Sequence, residues 1–228
     1  MNQFPNQIQE QRSSSVSNTQ NRVLRNTYWL LASSMVPTVL GAMLAMHYQF
    51  FMHMRPGIFT LLFFVGAFGL MYLVERNRHS STGVFMLYLF TFFMGAMLSP
   101  ILSVILQLRD GPQIIMMAFG GTGIIFATMA TIASTAKKDF STWSKTLFLG
   151  VVVIILAGIA NIFFQVPALS LTISVLAMVI FSAFILVDVQ RVVRGGETNY
   201  ISATLTLYLD IYNVFVSLLN IIGLSSRN

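Results

Sequence analysis

The chain has 228 residues, 56% of them hydrophobic and only 9% charged, whereas soluble domains carry about 25% charged residues, so a water-soluble fold is excluded and the class is integral membrane. With no cysteine, disulfides, thiolate chemistry and Cys-ligated metals are excluded together. The net charge of +6 comes from basic residues at the ends of apolar runs, which points to anchoring at a membrane surface and not to nucleic acid.

Residues 1–27 are rich in Gln, Asn and Ser and read as a disordered polar tail. No secretory signal pattern follows, so the first apolar run is expected to stay in the protein. Apolar runs then fall at 28–46, 58–74, 84–108, 113–136, 147–164, 168–187 and 200–224. Each approaches the roughly 20 residues that carry a helix across the hydrocarbon. Strand-like alternation is missing, which argues against a β-barrel. The expected architecture is all-α, with a seven-helix membrane domain over 28–224 and a short extracytoplasmic end at 225–228.

Small residues recur within the runs, among them Gly66, Gly69, Gly95, Gly150 and Gly158. In lipid, helices associate largely by close backbone approach at such residues. Gly120-Gly121-Thr122-Gly123 resembles a phosphate loop, but it lies mid-run with no Lys after it, so close packing is the better reading. Ser99-Pro100 should bend the third run. His47, His53 and His79 sit near run ends without ligand spacing and read as interfacial.

Basic residues set an orientation. The tail and the loops after runs two, four and six hold ten Arg and Lys: Arg12, Arg22, Arg25, Arg76, Arg78, Lys137, Lys138, Lys145, Arg191 and Arg194. The other side holds Arg55, Arg109 and Arg227. The positive-inside rule then puts the N-terminus in the cytoplasm and the C-terminus outside, with Tyr28, Trp29 and Trp143 at the cytoplasmic interface.

Two acids, Asp188 and Asp210, stand inside the last two runs. An Asp near a helix centre costs about 2.5 to 3.5 kcal/mol on insertion scales, which makes both functional candidates. Asn199 is midway between them in the polar break 194–199. An antiparallel hairpin would therefore set both carboxylates at one depth, about 16 Å from the turn. If they lie about 4 Å apart at an effective dielectric of about 20, full ionisation costs about 4 kcal/mol, and the pair is expected to share one proton and titrate as a unit. The simpler alternative is that Arg191, three residues after Asp188, neutralises it on the same helix face.

Thr206, Asp210, Asn213, Ser217 and Asn220 recur at steps of four and three, so they form one polar face along the last run. Such a face must look into the bundle, either as a water or ion path or as hydrogen-bonding glue between helices. Thr128, Thr131 and Thr135 in the fourth run are expected to bond back to their own backbone. Two carboxylates with Asn213, hydroxyls and water offer too few oxygens for a calcium store. They suit a weak, transient Ca²⁺ site, as conduction requires. No nucleotide, haem, flavin or nicotinamide signature is present, so no tightly bound cofactor is expected.

Gly195-Gly196-Glu197-Thr198-Asn199-Tyr200-Ile201, Leu207-Tyr208-Leu209-Asp210-Ile211-Tyr212-Asn213 and Val216-Ser217-Leu218-Leu219 resemble the Bax inhibitor/YccA-like family, the transmembrane Bax inhibitor motif proteins. Arg25-Asn26-Thr27-Tyr28 and the Gly-Gly-Glu-Thr-Asn-Tyr turn look like its bacterial YccA-like branch. The resemblance implies a multi-pass protein of the bacterial inner membrane, with the C-terminal helix in the middle and six around it. It further implies a pH-sensitive Ca²⁺ leak whose sensor is the Asp188–Asp210 pair, with an arginine from the end of the second helix (Arg76 or Arg78) as a charge partner. The branch is also associated with regulating a membrane-anchored ATP-dependent (AAA) protease, and the 1–27 tail would be the segment such a partner grips.

Three functions follow. The first is a proton-gated ion leak, and the second is a regulator or substrate of that protease, acting by protein–protein binding; neither is an enzyme. The third is an intramembrane aspartyl protease, since those enzymes also place one Asp on each of two neighbouring helices. Their Gly-x-Gly-Asp is missing, because Leu207, Tyr208 and Leu209 precede Asp210, and Pro167-Ala168-Leu169 stands before both acids.

Overall fold

A computed structural model describes the backbone of residues 4–51 and 54–226, with side chains from residue 20 onward. Among the described residues eight α-helices follow one another: α1 (Phe4–His47), α2 (Pro56–Arg76), α3 (Ser81–Met97), α4 (Ser99–Leu106), α5 (Gly111–Thr135), α6 (Ser144–Phe164), α7 (Pro167–Val193) and α8 (Tyr200–Ser225). A 3-10 turn at Ser141–Trp143 leads into α6. Among the described residues, seven segments are long and apolar enough to cross a membrane, with α3 and α4 together making the third. Each expected run falls on one of them.

Local chemistry sets the ends. Proline opens α2, α4, α5 and α7, at positions where its missing N–H would have no helical partner. The break between α3 and α4 falls at Leu98, just before Ser99-Pro100, as a proline two residues on requires. Asn199 caps α8, its side-chain oxygen accepting from the N–H groups of Ile201 (2.9 Å) and Ser202 (3.2 Å). After α7, Gly195 takes φ +76°, a conformation that costs glycine little. The N–H of Gly196 then returns to the Arg191 carbonyl at 2.8 Å.

The start of α1 differs from expectation. Residues 4–27, assigned to a disordered tail, are helical and continuous with the first crossing, and Thr27 is fully buried. Extending an existing helix adds one hydrogen bond per residue fixed and needs no new nucleus, so polar residues of modest propensity can follow. Residues 1–3 of that assignment, like His53 and Arg227, fall outside the described residues.

The last helix is central. α8 packs against α1, α2, α3, α5 and α7. The resemblance implied six helices around it, but α6 stands outside, packed on α7, and has no buried residue of its own. The tightest crossing is α1 against α3. A Cβ added to Gly41 would strike the Phe92 carbonyl oxygen, and one added to Gly95 would strike that of Thr38. Gly95 was expected at a packing site and Gly41 was not. Within the Gly120–Gly123 stretch only Gly121 meets a neighbour, Leu218 at 3.2 Å. Gly120 and Gly123 face open space, so that stretch is only partly a packing site.

Candidate functional site

The last two turns of α7 and the middle of α8 carry the intramembrane acids. Asp188 and Asp210 are 7% and 5% exposed, on two helices packed along each other, and are near enough for each carboxyl to act on the other. The hairpin is less symmetric than expected. Asp210 lies ten residues into α8, about 15 Å along its axis, whereas Asp188 is five residues from the end of α7, about 8 Å. The N-terminus of α8 therefore reaches further out than the C-terminus of α7.

The two acids have unequal surroundings. Arg191 approaches Asp188 with Nη1 3.7 Å from Oδ1, and the Thr206 hydroxyl lies beside the same carboxyl. Asp210 has no such cation, and its Oδ2 is buried with no hydrogen bond from the described residues. The arginines after the second crossing do not reach the pair. Arg78 pairs with Glu75 at 3.4 Å, and Arg76 is exposed. Arg191 is thus the guanidinium at the site.

The rest of the polar face turns inward on its own helix. Thr206 donates to the Ala203 carbonyl (3.2 Å), Asn213 to that of Leu209 (2.8 Å) and Ser217 to that of Asn213 (2.6 Å), while Asn220 is half-buried. Back-bonding of this kind was expected only of Thr128, Thr131 and Thr135, which also show it. Four interhelical bonds from α8 come instead from its opposite face. The Tyr208 hydroxyl meets that of Thr38 on α1 (2.9 Å) and donates to the Thr91 carbonyl on α3 (3.4 Å). Tyr212 donates to the Met94 carbonyl (3.3 Å) and Thr204 to that of Thr27 (3.3 Å). Sequence reasoning missed these residues, although Thr204, Tyr208 and Tyr212 at steps of four already mark a second polar face.

Beyond the pair, the end of α7 ties down two loops. Gln190 is 2% exposed; its Oε1 accepts from the Phe140 N–H (2.8 Å) and its Nε2 donates to the Lys138 carbonyl (2.9 Å). Arg194 donates to the carbonyls of Lys137 (3.0 Å) and Lys138 (2.9 Å) and pairs with Asp139 at 3.6 Å. Hydrogen bonds from Ser141, first from its backbone N–H, hold the Asp139 carboxyl below the usual carboxylate range, with Arg194 adding to the effect. On the other flank, the Asn199 amide donates to the Arg78 carbonyl (2.8 Å), and the Ser202 hydroxyl donates to Glu75 (3.0 Å).

Among the described residues, no group of three or more His, Asp or Glu could hold a metal ion. A cavity of about 520 Å³ lies between α1, α4, α5 and α8, and neither aspartate lines it.

Comparison with known proteins places the whole arrangement. A family model described as "Inhibitor of apoptosis-promoting Bax1" matches residues 20–227. Over 207 residues the chain is 41% identical to "Modulator of FtsH protease YccA" of Escherichia coli K12, a match covering 91% of this chain and 92% of that protein. Identity and coverage are the same for "Inner membrane protein YccA" of Escherichia coli O6:H1. A protein of Vibrio cholerae described only as an uncharacterized membrane protein is 39% identical over 220 residues, covering 95% of this chain and 96% of its own. Matched along nearly its full length both by the family model and by these relatives, the chain belongs to the Bax inhibitor family.

Proposed function

We propose that this protein is a non-enzymatic regulator in a bacterial inner membrane that modulates a membrane-anchored ATP-dependent protease by direct binding. The observation that carries this is its 41% identity, across nine-tenths of both chains, to a relative named as a modulator of such a protease. The N-terminal segment 1–27 is the proposed handle, on the cytoplasmic side, a reading that the ten-to-three bias of basic residues supports. Deleting residues 2–20 is expected to abolish co-purification with the protease and the protein's effect on degradation of a membrane substrate. A deletion variant that still binds and still modulates would sink the proposal.

A second activity is favoured by one particular atom. Oδ2 of Asp210 is buried beside another carboxyl and receives no donor from the described residues. Such a group is costly to leave unsatisfied, and a proton held between the two acids, or a cation passing them, would satisfy it. The pair then serves as a proton-responsive element for a Ca²⁺ leak, with Ca²⁺ as cargo held weakly and briefly by Asp188 and Asp210. In proteoliposomes loaded with a Ca²⁺ dye, flux should change across neutral pH and lose that dependence in Asp210→Asn. A pH-independent flux, unaltered in the variant, rules the leak out. The aspartyl-protease alternative is weaker on two counts. Its Gly-x-Gly-Asp is missing, and Asp188 already faces Arg191.

A further inference from the structure

Between Gln20 and Thr27 the N-terminal extension of α1 has an inner and an outer side. Gln20, Val23 and Leu24 are half-buried and Thr27 is fully buried, with Asn26 at their edge, whereas Asn21, Arg22 and Arg25 are exposed. Residues three and four apart share one helical face, so the extension lies against the protein along a single stripe. α1 packs on both α7 and α8, and two contacts locate the seat. The Thr204 hydroxyl, in the first turns of α8, donates to the Thr27 carbonyl at 3.3 Å. About two helical turns earlier in α1, the Gln20 side chain covers the turn between α7 and α8: a Cβ added to Gly195 would stand 2.5 Å from the Gln20 amide nitrogen. Glycine makes that turn at φ +76° and leaves room for Gln20, so one residue serves both needs.

The turn under Gln20 is also the one that sets Arg191. The N–H groups of Gly196 and Glu197 both donate to the Arg191 carbonyl, at 2.8 and 3.3 Å, and a Cβ added to Gly196 would meet Arg191 Cγ at 3.1 Å. The Arg191 guanidinium in turn stands 3.7 Å from Asp188. A short series of contacts therefore runs from the extension, through the turn, to the acid pair. The seat is a light one, since none of residues 20–26 is fully buried. Segments with few buried contacts open locally at low cost. The extension and the first crossing are nevertheless one helix, Phe4–His47, with no glycine or proline between Gln20 and Val36 to act as a joint. Unwinding the extension from its outer end thus reaches Gln20 directly.

We infer that the extension is a latch on the α7–α8 turn: seated, it steadies the hairpin that carries Asp188, and a partner that unwinds the N-terminal segment releases that hairpin. The partner's part in this rests on the protease reading above, because a protease that threads its client as extended chain unwinds a helical handle. Amide exchange of the full chain in lipid nanodiscs reads the latch with no partner present. Gln20→Ala removes the side chain over Gly195. Asn21→Pro, at an exposed position, breaks the helix there and turns Gln20 out of it. Both should speed exchange at Gly196 and Glu197 by about threefold or more, and Asn21→Ala should leave it unchanged. Unchanged exchange in both Gln20→Ala and Asn21→Pro, or an equal rise in Asn21→Ala, would overturn the inference. The second arm adds the membrane-anchored protease, its peptidase site inactivated, together with ATP. Exchange at the same two amides should then rise in the unaltered chain. Binding without that rise would equally overturn the inference. Failure of the protease to bind would refute the proposed function alone, with the latch still decided by the variants.

Discussion

Individual side chains on α8 divide its work between two faces. Tyr208 is 1% exposed, and its hydroxyl is the point where α1, α3 and α8 are bonded together. Tyr208→Phe keeps the ring against Phe90 and deletes only those bonds. Thr38 retains its own bond to the Ser34 carbonyl at 2.9 Å, so no buried hydroxyl is orphaned. The expected loss is therefore about 1 kcal/mol, seen as a lower unfolding midpoint in detergent with the seven-helix fold intact. At the membrane surface, Asp139 sets a pH limit on its loop. Its carboxyl is held below the ordinary value by Ser141 and Arg194, so the stabilisation is fully present above the unfolded value of about 3.9 and is lost as pH falls through the lower folded value. Amide exchange in the segment 139–143 should rise at acid pH, and Asp139→Asn should remove that acid limb. An unchanged acid limb in Asp139→Asn would assign it to another group.

Elements pack here by backbone proximity, since lipid gives no hydrophobic drive between helices. The α1–α3 crossing shows the consequence. A methyl at Gly95 collides with the Thr38 carbonyl, a backbone atom that no rotamer change can move aside. Gly95→Ala should push the helices apart and cost about 1 to 3 kcal/mol, whereas Gly69→Ala, where nothing lies within 4 Å, should be neutral. A detergent-denaturation series on the two variants tests the contrast. Composition alone names both glycines, because small residues in apolar runs are visible in sequence while their facing is not. The same limit explains the polar stripe. Its spacing marks one helical face, but whether Asn213 and Ser217 bond across to another helix or back to α8 depends on what stands opposite. The seven crossings were legible because length and hydropathy are local properties. The α7–α8 hairpin was legible because it needs only two consecutive helices, although the unequal distances of the two acids from their helix ends follow from caps that hydropathy does not register.

At the scale of the whole molecule, the final turns of α7 connect the aspartate pair to the loop end of the bundle. Asp188 pairs with Arg191, while Gln190 and Arg194, in the same two turns, hold the loop between α5 and α6. These bonds join residues about 50 positions apart in the chain, a separation at which no sequence spacing pairs them. Any motion that separates Asp188 from Asp210 by shifting the end of α7 must therefore stretch the Gln190 bonds too. Gln190→Ala cuts this link without touching either acid. It leaves the Phe140 N–H without its partner and frees the Lys138 carbonyl of one donor, a loss of about 1 to 3 kcal/mol locally. Hydrogen exchange at Phe140 is then expected to speed up by about tenfold or more, since about 1.4 kcal/mol corresponds to a factor of ten. The capped start of α8, held separately by Asn199, should keep its protection. If Phe140 exchanges no faster in Gln190→Ala, the loop is held by Arg194 alone and the two ends of the link are mechanically independent.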